Sequence, residues 1–123
     1  MSDINTIILT GTLVHDPELR YTEESQIAYC KFTLSVERYQ REAMQKSGKV
    51  EYDLVNCITW RGSAEFVANY LDRGTPVYIE GRLAVHRYTT QDGDKRVEAE
   101  VSAHIINSLE TKAASEERRS RRQ

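Results

Sequence analysis

The run IAYCKFTLSV (27–36) alternates without interruption: Ala28, Cys30, Phe32, Leu34 and Val36 fall on one side, Tyr29, Lys31, Thr33 and Ser35 on the other. Successive side chains of a strand point to opposite faces, so this segment is a strand with one face in a core. The same period recurs in TIILTGTLV (6–14), where Ile7, Leu9 and Leu13 share a side. Gly11 interrupts that row, which marks a bend or a close approach of another backbone. YDLVNCITW (52–60) reads as a third strand, TPVYIEGRLAVHRY (75–88) as the start of a fourth, and about Arg96 to Leu109 as a fifth. Between the third and fourth, GSAEFVANYLDRG (62–74) switches to helical spacing, with Ala64, Val67 and Leu71 on one face. Ser63 is the expected N-cap and Gly74 the expected left-handed C-cap. DPELRYTEESQ (16–26) reads as a connection, because Pro17 stops strand pairing.

The order is strand, strand, strand, helix, strand, strand. A single helix between strands three and four is the order of the OB-fold, so the expected class is all-β, a five-stranded Greek-key barrel. Residues 1–110 form the expected domain. Residues 37–51 read as a long exposed loop and residues 111–123 as a short basic tail without periodicity, expected to be disordered.

The hairpin GRLAVHRYTTQDGDKRVEAEV (81–101) has a legible register. Its apolar sides match when Leu83 opposes Val101 and Val85 opposes Ala99, which leaves Gln91-Asp92-Gly93 as the loop. A three-residue loop wants a left-handed third residue, and Gly93 supplies it. His86 then pairs with Glu98 and Tyr88 with Arg96. Leu83, Val85, Ala99 and Val101 are expected in the core; Arg82, Ala84, His86 and Tyr88 face out.

Charge and composition narrow the function. The chain carries net charge −2; Lys112 and four arginines against two glutamates give residues 111–123 +3, leaving −5 on residues 1–110. A strongly basic surface is therefore excluded, and any nucleic-acid binding must come from local charge placement and stacking. No apolar run approaches a membrane span, and MSDINTIILTGT lacks a signal-peptide pattern. Cys30 and Cys57 show no metal-type spacing and fall where buried, inert thiols belong. No cofactor, metal or membrane partner is expected, and a cytosolic, reducing location is.

No nucleophile motif, phosphate loop or metal-hydrolase motif is present. His15, His86 and His104 are scattered, and Glu23-Glu24 and Glu98/Glu100 read as solvated charge rather than as a nuclease site. The third strand says more. Val55 and Cys57 point inward, so Leu54, Asn56, Ile58 and Trp60 point outward, ending in the only tryptophan. Burial under a loop or subunit would explain that row, and so would a platform for bases, since aromatic faces stack on any base. Tyr88 would extend such a platform and Tyr39, between Arg38 and Arg41, would add a loop contact. Lys31, Arg61, Arg73 and Arg87 are the cations placed to meet phosphates.

LTGTLVHDPELRYT, FTLSVER and TWRGSAEFVANYLDRGTPVYIEGRL together resemble the bacterial single-stranded DNA-binding protein family over roughly residues 4–109. The resemblance implies an OB-fold, usually a homotetramer, that binds single-stranded DNA with little sequence preference during replication, repair and recombination. It implies base stacking at Trp60 and Tyr88. Tyr39 falls one residue short of the family's loop aromatic, with Gln40 at the aligned place, and Leu54 stands where another aromatic is found. Asn56, Gly62, Ala84 and His86 replace basic residues of relatives, which predicts weaker binding. Ile4, Ile8 and Tyr78 are the expected oligomer contacts. Many members end in an acidic, apolar tip that recruits repair and replication enzymes; this sequence reads EERRSRRQ there, so that recruitment is not expected. A second reading is an OB-fold, primosome-type or other protein-interaction helper whose outward aromatics make protein contacts and whose DNA affinity is weak.

Overall fold

The computed structural model describes residues 1–39 and 48–122. The strands are β1 (Ile7–Leu13), β2 (Glu18–Tyr21), β3 (Ala28–Glu37), β4 (Tyr52–Trp60), β5 (Pro76–Thr89) and β6 (Lys95–Ser108). Helix α1 (Arg61–Tyr70) lies between β4 and β5, and helix α2 (Lys112–Arg121) follows β6. The sheet order is β1-β5-β6-β4-β3-β2, and β1 also pairs with β3, which closes the ring. Five strands form that ring, as the alternation predicts, and β2 is an addition. Pro17 does not prevent it, because proline precedes the first residue of β2, which pairs with β3 from Glu18↔Lys31 to Tyr21↔Ala28.

The inward rows meet in one core of Leu13, Ala28, Cys30, Phe32, Leu34, Cys57, Val77, Ile79, Val101 and Ile106, capped by Ala64, Val67 and Leu71 of α1 and its exit. Burial pushes the Cys30 thiol up to about 11 and the Cys57 thiol to about 12, which keeps both protonated and unreactive. Gly11 is the expected close approach: a Cβ there would lie 2.8 Å from the Ser35 carbonyl oxygen. Gly81 is tighter still, with the Ser102 oxygen 2.2 Å from where a Cβ would stand, beside the irregularity at Glu80/Gly81.

Three expectations fail for identifiable reasons. Helix α1 starts two residues before Ser63: Trp60 is its N-cap with no side-chain cap bond, and Arg61 takes φ +56° to turn directly from strand to helix. Gly74 is left-handed at φ +93°, yet Leu71 is the C-cap; Gly74 serves the following turn, donating its N–H to Leu13. The hairpin register is as expected (Leu83↔Val101, Val85↔Ala99, Tyr88↔Arg96, with Gly93 at φ +87°), but Leu83 and Val85 are 42% and 48% exposed. β1 pairs with β5 only as far as Gly81, and β4 meets β6 only at Val101 and Ser102, so among the described residues neither strand extends over the apolar side of the hairpin tip. Ala84, expected outside, is instead buried opposite Glu100.

The tail expected to be disordered is helix α2. Thr111 caps it, accepting from the Ala114 N–H at 3.1 Å, and Arg118, Arg119 and Arg121 occupy the last turn, where cations suit the helix dipole. No apolar face holds it. Arg118 donates to Asp72 (2.6 Å), Glu110 (2.8 Å), the Thr75 hydroxyl (2.9 Å) and the Arg73 carbonyl (2.7 Å), and Arg122 reaches Asp72 at 2.9 Å. Burial works to raise the Asp72 pKa, but Arg118, Thr75 and Arg119 outweigh it and hold the carboxyl at about 2. A depressed folded pKa contributes stability that is complete above the ordinary value of 3.8 and lost as pH falls through about 2. Docking of α2 is therefore expected to hold at pH 4 and fail near pH 2, read as loss of amide-exchange protection over 112–121.

Candidate nucleic-acid interface

The outward rows of β3, β4, β6 and β5 form one continuous face. Tyr29 opposes Trp60, Lys31 opposes Ile58, Ile58 opposes Ser102, and Ser102 opposes Arg82. Trp60 is 41% exposed, and its ring centroid lies 5.5 Å from that of Tyr29 at a 41° tilt. Such tilted pairs hold each other in place while leaving one face of a ring free. Tyr29 was legible as an outward residue of the first strand read; its role emerges only from the register that sets it beside Trp60. Ile58, expected to point outward, is buried in the middle of this face, between Lys31 of β3 and Ser102 of β6.

Along the hairpin, Tyr88 is 44% exposed and its hydroxyl donates to Glu98 at 2.9 Å. That bond raises the phenol pKa. His86 Nε2 lies 2.8 Å from Glu100 Oε1, and Thr33 bonds Asn56 at 3.1 Å. Between the two walls lies a cleft of about 290 Å³ lined by Lys31, Thr33, Asn56, His86, Glu98 and Glu100, among others.

The predicted cations separate into two groups. Lys31 lines the cleft and Arg61 follows Trp60 at the exposed start of α1. Arg73 stands instead at the foot of α2, its N–H bonded to Asp16 and its carbonyl to Arg118. Arg87 opposes Val97 and, by alternation, points to the side away from Tyr88; Arg96 and Arg82 share the Tyr88 side. Tyr39 is 93% exposed at the end of the described segment, and its neighbour Arg38 is paired with Glu51 and Asp53. Gln40 and Arg41 lie outside the described residues. Of the oligomer candidates, Ile4 and Ile8 are exposed, and Tyr78 bonds Glu80 on the outer side of β5. Among the described residues no group of three His, Cys, Asp or Glu is placed to hold a metal ion.

The family model described as the single-strand binding protein family matches residues 4–109. The chain belongs to that family. Single-stranded DNA-binding protein A of Bacillus subtilis is 41% identical over 109 residues, covering 89% of this chain and 61% of the relative. Single-stranded DNA-binding proteins of Bacillus cereus and Enterococcus faecalis are 40% and 38% identical, covering 94% of this chain and 66% and 59% of their own lengths. The chain thus spans about three-fifths to two-thirds of the length of these single-strand binding proteins. Membership accounts for the closed ring with one helix between β4 and β5.

A base would meet Tyr88 at its ring face, not at the hydroxyl that is bonded to Glu98. Tyr88→Phe removes only the hydroxyl bond to Glu98, so affinity for an oligonucleotide is expected to stay within about twofold. Fluorescence anisotropy of a labelled oligonucleotide measures it.

Proposed function

We propose that this chain binds single-stranded DNA, without catalysing a reaction on it, and protects exposed strands in replication, repair and recombination. The observation that carries the reading is the half-exposed Trp60 ring, braced by Tyr29 on the open face of the barrel. Bases stack on Trp60 and Tyr88, while Lys31, Arg61 and the Arg82/Arg96 side of the hairpin supply cations for phosphates. Stacking tolerates any base, and phosphate contacts carry no sequence information, so binding is broadly unspecific. The names of the relatives support the same substrate.

A homotetramer belongs to this reading. Ile8 opposes Glu80 and Thr10 opposes Tyr78, which puts Ile8 and Tyr78 on one outer side of the β1–β5 pair, with Ile4 just ahead of it. Light scattering that finds a monomer at micromolar concentration removes the assembly. A bacterial cytoplasmic, nucleoid-associated location follows from the substrate and the bacterial relatives.

Titration with oligo-dT at low salt tests the central claim, because a base on Trp60 quenches the chain's only tryptophan. Saturable quenching is expected; unchanged emission with no binding overturns the reading.

A further inference from the structure

We propose that the left-handed backbone of Arg61 aims the Trp60 ring at the bound strand, so that Arg61 is a positioning residue as well as a cation. The proposal rests on the single-strand reading above. Outside glycine, only Gln26 and Arg61 among the described residues take a positive φ, 53° and 56°. A left-handed backbone is unfavourable for any residue with a Cβ, and such residues collect at functional sites. Gln26 is explained by its turn: its N–H donates to the Thr22 carbonyl and its side chain to the Glu23 carbonyl, both at 3.1 Å. Nothing comparable holds Arg61, whose guanidinium makes no hydrogen bond or ion pair among the described residues. Glycine, the residue suited to this backbone, stands one place later. Gly62 takes no positive φ, and a Cβ there would meet open space.

The reason lies in the join between strand and helix. Trp60 is the last residue of β4, paired with Tyr29, and also the N-cap of α1, with φ −129° and ψ 155°. Strand and helix therefore meet without a loop, where two to six residues are usual. One left-handed residue makes the whole turn. Both sides of the join are anchored, β4 by its ladder with β3 and α1 by Ala64 and Val67, which are fully buried. A residue that resists a positive φ must widen the turn, and neither anchor can shift without opening the core. The half-exposed Trp60 is the part that gives way, and its fixed tilt against Tyr29 goes with it.

The test separates backbone from charge, because Arg61→Gly, Arg61→Asn and Arg61→Val all remove the same charge. Glycine and asparagine accept a left-handed backbone, whereas β-branched valine does not. Each variant of the full chain is titrated with oligo-dT by anisotropy at several salt concentrations, and quenching of Trp60 at saturation is recorded. All three are expected to lower the slope of log affinity against log salt by about 0.7, the share of one phosphate contact. Arg61→Val is expected to bind about tenfold more weakly than Arg61→Gly, within the range one stacked base supplies, and to show less quenching. Arg61→Asn follows Arg61→Gly. The valine variant should also melt about 5 °C below the glycine variant. Arg61→Ala, less hindered, falls between them and carries the comparison if the valine variant does not fold. Equal affinities across the folded variants overturn the positioning role while leaving single-strand binding intact. Weaker binding by Arg61→Val with unchanged quenching places the effect away from Trp60 and overturns it as well. A wild type that neither binds oligo-dT nor loses emission removes the single-strand reading itself.

Discussion

Trp60→Ala is expected to weaken binding of oligo-dT by about fivefold to a hundredfold, with the β-barrel intact. Removing one aromatic that stacks on a base costs roughly 1–3 kcal/mol, and each 1.4 kcal/mol is a tenfold change. The upper part of that range applies here because two rings act together. Trp60 braces Tyr29 at 5.5 Å, so its loss also frees the Tyr29 ring from its fixed tilt. Stability changes little by comparison. The side chain is 41% exposed, stands outside the barrel core, and gives no cap bond to α1 although it occupies the N-cap position. Trp60→Phe keeps a stacking face and is expected to recover most of the loss. Anisotropy measures both variants, and a thermal melt checks the fold. An unchanged dissociation constant for Trp60→Ala places the bases elsewhere.

Arg118→Ala is expected to release helix α2 altogether. Its guanidinium joins Asp72, Glu110, Thr75 and the Arg73 carbonyl in one cluster, and the three charged side chains are only 21%, 18% and 11% exposed. Breaking a buried pair from one side costs on the order of 3 kcal/mol, because the remaining charges must find water. Undocking α2 is how they do so. A ten-residue helix with no buried residue does not survive alone in water, so undocking and unfolding of 112–121 are one event. Amide protection there should fall on the order of a hundredfold, with a smaller helical signal and a folded barrel. Arg118→Lys does not rescue it, since one ammonium cannot span the same fork of acceptors. Retained protection in Arg118→Ala would mean that Arg119 and Arg122 suffice as anchors.

The strands were legible because period two is a local property: each apolar row, read by itself, names its own inner face. The hairpin register was equally local. Matching Leu83 with Val101 and placing Gly93 in the loop needs only the two arms and the turn between them. Which of those inner residues reaches a core was not local. Leu83 and Val85 have the pattern of buried residues and are exposed, because burial depends on where β1 and β4 stop covering the hairpin. The site divides the same way. Trp60 and Tyr88 stood out as outward aromatics, whereas Tyr29 gained its place from the β3–β4 pairing. Glu98 and Glu100 read alike as solvated charge; Glu98 is exposed, whereas Glu100 is shielded beside His86.

Alternation, turn glycines and the position of one helical segment thus determined by themselves the all-β ring, its hairpin and its outward tryptophan, since each follows from steric rules acting over a few residues. Tertiary structure alone decided that the arginine-rich C-terminus is a docked helix. Its partners Asp72 and Thr75 lie more than forty residues away in sequence from Arg118. An ion-paired helix without an apolar stripe leaves no period to read, and only the folded barrel brings Asp72 and Thr75 to the place where the arginines meet them.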